Sequence, residues 1–114
     1  EVLSTMKRLN LTSFLSVVKQ FGPSKDKYLS FPSQGWTIAI DIPLRKAEIF
    51  DYLNELNEIL CEIGGKVYLA KDANLMRRDF VKMYPNYRAW KEIKARIDPD
   101  NYWRSEQGKR LDLC

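Results

Sequence analysis

Short apolar runs bounded by turn residues predict three strands, near 13–21, 35–42 and 66–70. The first run, from Phe14 to Phe21, is rich in β-branched residues and stops at Gly22-Pro23. The second run stops at Pro43, and its successive apolar positions predict a central strand that is buried on both faces. Because a loop over 22–34 joins these two runs, we expect the first two strands to pair in antiparallel fashion.

The hydrophobic period becomes helical after Pro43 and predicts helices near 46–63, 74–83 and 86–97. In the first of these, apolar residues recur every three or four positions opposite an acidic face, and Gly64-Gly65 ends the helix. The other two are separated at Tyr84-Pro85-Asn86, where proline interrupts the helix and asparagine favours a new start. The sequence therefore predicts an α+β fold, with a small, mainly antiparallel sheet and helices packed on it.

The two ends of the chain carry weaker patterns. A short helix is predicted over 1–9, with an apolar stripe of Val2, Leu3, Met6 and Leu9. Residues 98–114 are rich in turn residues and finish in an apolar contact through Leu111 and Leu113.

Composition narrows the possible chemistry. The 114 residues include no histidine, which excludes a Ser-His or Cys-His nucleophile pair and any His-ligated metal. Two cysteines cannot build a disulfide framework or a zinc cage, and five scattered glycines form no phosphate loop, so we expect no metal site. No apolar run is long enough to span a bilayer, and no signal peptide is visible. The two cysteines, taken as unpaired, fit a reducing compartment and predict a cytoplasmic chain, either free or associated with a membrane. The start at Glu1 rather than Met suggests an excised piece.

A basic region over 77–96 has two interpretations. Seven lysines and arginines stand there against Asp79 and Glu92, interleaved with aromatic residues, as in a module that binds nucleic acid or an acidic partner. The alternative, favoured by the helical spacing, is a buried stripe with the cations on its solvated back. That stripe would consist of Tyr87, Trp90, Ile93 and Ile97.

Two lysines occupy strand positions where a charge needs an explanation. Lys71 directly follows the predicted third strand, a place where sites in α/β proteins tend to lie. A lysine there can stabilise a developing anion or act as a base once desolvated, whereas the ordinary alternative is an exposed ion pair with Asp72. Lys19 interrupts an apolar strand, so it must face solvent or a polar pocket. If both lysines face one concavity, they indicate a site.

Two segments carry a resemblance to a known family. They are Gly35-Trp36-Thr37-Ile38-Ala39-Ile40-Asp41-Ile42-Pro43 and Gly64-Gly65-Lys66-Val67-Tyr68-Leu69-Ala70-Lys71-Asp72. The chain, from about 13 to 113, resembles the C-terminal part of FAD-linked oxidoreductases of the vanillyl-alcohol-oxidase type. Within that group it is most similar to the decaprenylphosphoryl-β-D-ribose oxidases and the related sugar-lactone oxidases. Shorter segments in the same order are Phe14 to Gly22-Pro23, Ser30-Phe31-Pro32, Met83-Tyr84-Pro85, Ile97-Asp98-Pro99 and Arg110-Leu111-Asp112-Leu113.

This resemblance implies a role for eight residues in the oxidation of a sugar hydroxyl by hydride transfer to FAD. Lys71 matches the family's catalytic lysine at the flavin and the substrate, and Tyr68 matches a tyrosine against the flavin ring. Lys19 matches a lysine that reaches the substrate pocket. Substrate-lining positions are implied for Leu15, Val17, Phe21, Thr37 and Ala39. Thr37 stands where relatives often carry Asn, and Ala39 where some carry Cys.

The resemblance also implies how the chain fits into a larger enzyme. Residues 1–65 would be the last part of a substrate-binding cap, and 66–114 a segment that returns to the FAD domain. The N-terminal FAD-binding domain would lie outside this chain, so we expect the chain alone to retain no FAD and to be inactive. Implied partners are a sugar or lipid-linked sugar, the missing FAD domain and an epimerase-type reductase, with no nucleic acid.

Overall fold

The computed structural model describes residues 2–8, 10–25, 27–43 and 47–114. Leu9, part of the predicted first stripe, and Lys46, at the predicted start of the second helix, lie outside the described residues. The elements, in chain order, are α1 (Val2–Arg8), β1 (Ser16–Phe21), β2 (Gly35–Ile40), α2 (Glu48–Glu62), a 3₁₀ turn (Leu69–Lys71), α3 (Arg77–Met83), α4 (Tyr87–Ile97) and α5 (Glu106–Arg110).

The first two predicted strands pair as expected. β1 and β2 are antiparallel, with a register that runs from Ser16 opposite Ile40 to Phe21 opposite Gly35. Both strands are shorter than the predicted ranges of 13–21 and 35–42. Among the described residues they form a two-stranded sheet, so the predicted α+β class with a small antiparallel sheet is confirmed.

The predicted third strand over 66–70 is wrong. Residues 66–68 are irregular, and 69–71 form a single 3₁₀ turn in which Lys71 N–H donates to the Tyr68 carbonyl at 2.9 Å. Side chains take the backbone acceptors that a sheet would need: the Tyr84 hydroxyl donates to the Val67 carbonyl at 2.6 Å, and the Gln107 amide donates to the Leu69 carbonyl at 2.6 Å. Because these backbone carbonyls already accept hydrogen bonds from side chains, they are satisfied without a neighbouring strand.

The prediction that the second strand is central and buried on both faces is also wrong. Trp36 is 73% exposed and Ile38 is 44% exposed, and across the pair Val18 is 61% exposed. Side chains alternate between the two faces of a strand, so one face of this sheet carries apolar residues into solvent. An apolar run therefore does not establish by itself that both faces of a strand are covered.

The main core lies in the second half of the chain. It consists of Leu75, Phe80, Met83, Tyr84, Tyr87, Leu111 and Leu113. Phe80 stacks on Tyr84 with ring centroids 5.4 Å apart and meets Tyr87 edge-on at 5.6 Å. The predicted apolar contact of Leu111 and Leu113 is confirmed.

The predicted stripe of α4 differs from the structure at its last residue. Tyr87 is buried, Trp90 packs against the core and Ile93 is half-buried, but Ile97 is exposed. α3 also begins later than the predicted residue 74. The Asp72 carboxylate accepts hydrogen bonds from the backbone N–H groups of Asn74 and Leu75, which holds 72–75 in a turn instead of a helix.

The short helix α5 is an element that the sequence pattern did not predict. Ser105 caps it, since its hydroxyl accepts a hydrogen bond from the Gly108 N–H at 2.9 Å. Five residues are too few for a hydrophobic period to emerge. In the described part of the chain, no helix has the length and apolar character needed to cross a membrane.

We expect Ser105→Ala to lower the free energy of unfolding by about 1 kcal/mol, because it removes an N-cap acceptor. Urea denaturation followed by far-UV circular dichroism measures the change. Ser33→Ala, in an exposed loop, is the matched control and should change stability by less than about 0.5 kcal/mol. Equal effects at the two serines would contradict a capping role.

Candidate functional site

A groove of about 630 Å³ opens between one face of the two-stranded sheet and the segment 66–71. Seven of the eight residues implied by the family resemblance line this groove. They are Val17, Lys19, Phe21, Thr37, Ala39, Tyr68 and Lys71. The structure therefore brings both strand-associated lysines and Tyr68 to one concavity, which is the arrangement that would indicate a site.

Strand geometry explains why the sheet residues converge. Val17, Lys19 and Phe21 are alternate residues of β1, so their side chains leave the same face. The register places Ala39 opposite Val17 and Thr37 opposite Lys19, and directly opposed residues share a face. One side of the sheet thus presents a lysine, a hydroxyl and apolar groups to the groove.

Leu15, the eighth implied residue, is not among the lining residues. It lies just before β1 and is about half exposed. Its carbonyl accepts a hydrogen bond from the Asp41 N–H at 3.1 Å, so Leu15 extends the pairing of the two strands.

Aromatic rings form another wall. The ring of Tyr68 lies 4.9 Å from that of Phe31, tilted by 38°, and Phe31 meets Phe21 edge-on at 6.1 Å. Tyr68 is 48% exposed, so a large part of its surface remains open to a ligand. The sequence assigned no role to Phe31, and its position between Ser30 and Pro32 gave no periodic signal that could have revealed one.

Lys71 stands at the end of the 3₁₀ turn with a carboxylate beside it. Its Nζ lies 3.3 Å from Oδ1 of Asp41, the residue that follows the end of β2. Both side chains are partly exposed. The alternative pairing with Asp72 is wrong, because that carboxylate faces Arg110 and Gln107 instead. The partnership of Asp41 with Lys71 joins residues thirty positions apart and has no local sequence signature.

Positive charge dominates the groove. Lys19, Lys66 and Lys71 line it, and no carboxylate is among the described residues that do so. Lys66 is held by a hydrogen bond to the Ser30 carbonyl at 3.5 Å, with its Nζ 5.5 Å from the Tyr84 ring centre. Like charges in one concavity produce a field that favours an anionic ligand group.

Behind the groove, Asp72 is buried and tightly bonded. Burial by itself would raise the pKa of its carboxyl, but hydrogen bonds from Arg110, the Leu75 N–H and Gln107 outweigh burial and hold the pKa below its ordinary value. Asp72 therefore stays ionised and anchors the chain directly after Lys71.

The cysteines offer no second centre. The Cys61 sulfur lies 3.8 Å from the Asp79 carbonyl and packs against the core, and burial raises the pKa of its thiol, which makes it a poor nucleophile. Cys61 and Cys114 are both free thiols. Across the residues with described positions, no group of His, Cys, Asp and Glu is arranged to hold a metal.

Several cations of the basic region 77–96 are engaged within the chain. Arg77 and Lys91 both pair with Asp112, and Arg78 pairs with Glu58. Lys94 contacts Asp98 at 2.6 Å with both side chains nearly buried. These contacts give four of the seven cations partners within the chain, and binding of nucleic acid or an acidic partner by this region stays a prediction from sequence.

Comparisons with known proteins agree with the resemblance. A family model described as D-arabinono-1,4-lactone oxidase matches residues 8–111. Decaprenylphosphoryl-beta-D-ribose oxidase of Mycolicibacterium smegmatis is 37% identical over 112 residues, which is 98% of this chain and 24% of that protein. An uncharacterised protein in the mprA 5′ region of Streptomyces coelicolor is 33% identical over 97 residues, or 85% of this chain and 26% of that protein.

A shorter match completes the comparison. L-gulonolactone oxidase of Bos taurus is 37% identical over 49 residues, or 43% of this chain and 11% of that protein. The chain spans about a quarter of the length of the first two relatives and less of the third. Because the family model covers nearly the whole chain, the resemblance to the sugar-lactone oxidases is confirmed, and the chain belongs to the D-arabinono-1,4-lactone oxidase family of oxidoreductases.

Proposed function

We propose that this chain forms the substrate-facing wall of an FAD-dependent oxidase that oxidises a hydroxyl group of a sugar. The observation that carries the proposal is the convergence of Lys19, Tyr68 and Lys71 on one groove. In this proposal residues 1–65 belong to a substrate-binding cap and 66–114 return to an FAD-binding domain. The groove takes residues from both stretches.

The described residues fit a flavin ring but not a whole FAD molecule. Tyr68, backed by Phe31, offers a half-exposed flat surface, and Lys71 places a cation near it. No glycine-rich loop is present to bind the pyrophosphate, so that part of the cofactor needs residues from outside this chain. When bound, FAD supplies the acceptor for the hydride.

Lys71 is the residue proposed to act on the reacting group. Oxidation of a hydroxyl removes a hydride from carbon and a proton from oxygen. As the proton leaves to water, the Lys71 ammonium stabilises the negative charge that develops on the oxygen, because a fixed cation needs no reorganisation to do so. Asp41, at 3.3 Å, pairs with the ammonium through a partly exposed contact.

The charge of the groove supports a sugar that carries an anionic group. Lys19 and Lys66 provide cations in addition to Lys71, and apolar walls accompany them. A phosphate-linked or lipid-linked sugar matches this lining better than a neutral lactone does. Thr37 can donate a hydrogen bond to a sugar oxygen, and the small side chain of Ala39 leaves room beside it. An epimerase-type reductase that consumes the oxidised sugar stays a prediction from sequence.

The test uses the complete polypeptide that includes the FAD-binding part. We expect the purified protein to be yellow and its flavin absorbance to bleach on anaerobic addition of a phosphate-linked pentose. A sugar lactone without a phosphate group should reduce the flavin at least about tenfold more slowly, because it has no negative charge to pair with the lysines. A flavin-loaded protein that no sugar derivative bleaches would contradict the proposed activity, and equal rates would contradict the preference for an anion.

A further inference from the structure

The turn that carries Tyr68 and Lys71 is fixed from behind by one buried carboxylate. Asp72 has a side chain that is 1% exposed. Its Oδ1 accepts hydrogen bonds from the backbone N–H groups of Asn74 at 2.9 Å and Leu75 at 2.6 Å. Its Oδ2 accepts from Arg110 at 2.7 Å and from Gln107 at 3.0 Å. The carboxylate thus ties the chain after Lys71 to helix α5.

Side chains of helix α5 also bond backbone carbonyl groups in and after the turn. Gln107 donates to the Leu69 carbonyl at 2.6 Å, at the first residue of the 3₁₀ turn. Arg110 donates to the Leu75 carbonyl. Two side chains of one short helix therefore bond the first residue of the turn and the segment that directly follows it, on either side of Lys71.

Lys71 has little to fix it on its own side. Its side chain is 56% exposed and its hydrogen bond in the described structure goes to Asp41, itself partly exposed. An exposed ion pair of this kind contributes little positional restraint. The backbone of the turn therefore fixes the point from which the Lys71 side chain extends into the groove, and hydrogen bonds from α5 hold that backbone.

We infer that Gln107, Arg110 and Asp72 are positioning residues for the groove, which hold Lys71 and Tyr68 at the reacting group without touching it. This inference rests on the proposed function, since it assigns these residues to the same reaction. A misplacement of about 1 Å at a reacting group can cost about 100-fold in rate. The effect should appear in the rate of the reaction step and not in substrate binding.

Gln107→Met is the most informative variant. Methionine keeps the length and approximate volume of glutamine but removes both amide hydrogen bonds, and it leaves the Asp72–Arg110 pair intact. Lys109→Met is the matched control on the same helix, because Lys109 is half exposed and pairs with Glu106 outside the network. Both variants are made in the complete, flavin-loaded polypeptide.

Two readouts separate positioning from general stability. Hydrogen–deuterium exchange of the 68–75 segment should accelerate about tenfold or more in Gln107→Met, while exchange in α4 stays close to that of the control. In the same variant kcat should fall about 10- to 100-fold with KM changed less than about threefold.

The outcomes distinguish this inference from the proposed function. Unchanged exchange over 68–75, or faster exchange with an unchanged kcat, overturns the positioning role and leaves the proposed function standing. A fall in melting temperature together with an equal loss of exchange protection across the whole chain also overturns it, because the effect would then be general destabilisation. If sugar does not reduce the flavin even in the parent protein, the proposed function fails first, and the exchange result still reports whether α5 holds the turn.

Discussion

Lys71→Met should slow reduction of the flavin by substrate about 100- to 1000-fold, the usual cost of removing one group that stabilises an oxyanion. The substitution approximately keeps the length of the side chain but removes its positive charge from the groove that Tyr68 also lines. Because the pair with Asp41 is partly exposed, stability should change by less than about 1 kcal/mol. Anaerobic stopped-flow absorbance of the complete polypeptide measures the rate directly.

Two further variants sharpen this result. Lys82→Met, on α3 and outside the groove, makes the same chemical change at an exposed lysine and should leave the rate within about twofold of the parent. Lys71→Arg retains the charge on a differently shaped group, so a partial recovery of rate would identify charge as the main contribution. A rate for Lys71→Met within threefold of the parent would remove Lys71 from the proposed mechanism.

Arg110→Met should lower the free energy of unfolding by about 3 kcal/mol near neutral pH, the lower end of the cost of breaking a buried ion pair. The lower end applies because Arg110 is 31% exposed, whereas Asp72 is 1% exposed. The variant leaves the Asp72 carboxylate buried with fewer donors, and an unpaired buried charge accounts for most of the loss. Urea denaturation at several pH values measures it, with Lys109→Met as the control.

The pH dependence of this effect has a definite sign. The pKa of Asp72 in the folded parent lies below its unfolded value near 3.8, so its contribution to stability is present above that value and is lost as pH falls through the folded-state pKa. Without Arg110, burial shifts that pKa upward. The stability difference between parent and variant should therefore be largest above about pH 5 and shrink below about pH 4. A difference that is constant across this range would contradict the ionic origin of the effect.

Elements with long hydrophobic patterns were predictable from the sequence, and elements fixed by distant side chains were not. α2 follows from a helical hydrophobic period over its fifteen residues, and the β1–β2 pair follows from two apolar runs bounded by turn residues. The predicted strand at 66–70 failed because Tyr84 and Gln107, 17 and 38 residues away from the carbonyls they bond, satisfy its backbone. No window of local sequence contains that information.

The candidate site divides in the same way. Resemblance assigned roles to Lys19, Tyr68 and Lys71, and the period-two geometry of the sheet explains why Lys19 shares a face with Val17 and Thr37. Asp41 was missed because its link to Lys71 is a contact between separate elements. The network behind the turn was missed because α5, which supplies half of it, is too short to produce a sequence pattern.

The apolar outer face of the two-stranded sheet has a practical consequence for the choice of fluorescence signal when the stability of this chain is measured by itself. Trp36, Val18 and Ile38 form a solvent-facing hydrophobic surface in the folded chain, so dyes that fluoresce on apolar surfaces will bind before any unfolding occurs. Intrinsic fluorescence is the better signal, provided that it comes from Trp90, which packs against the core while Trp36 and Trp103 are exposed. With phenylalanine at both exposed positions, Trp90 is the one tryptophan left among these 114 residues, so the emission of this chain by itself would report the loss of the core.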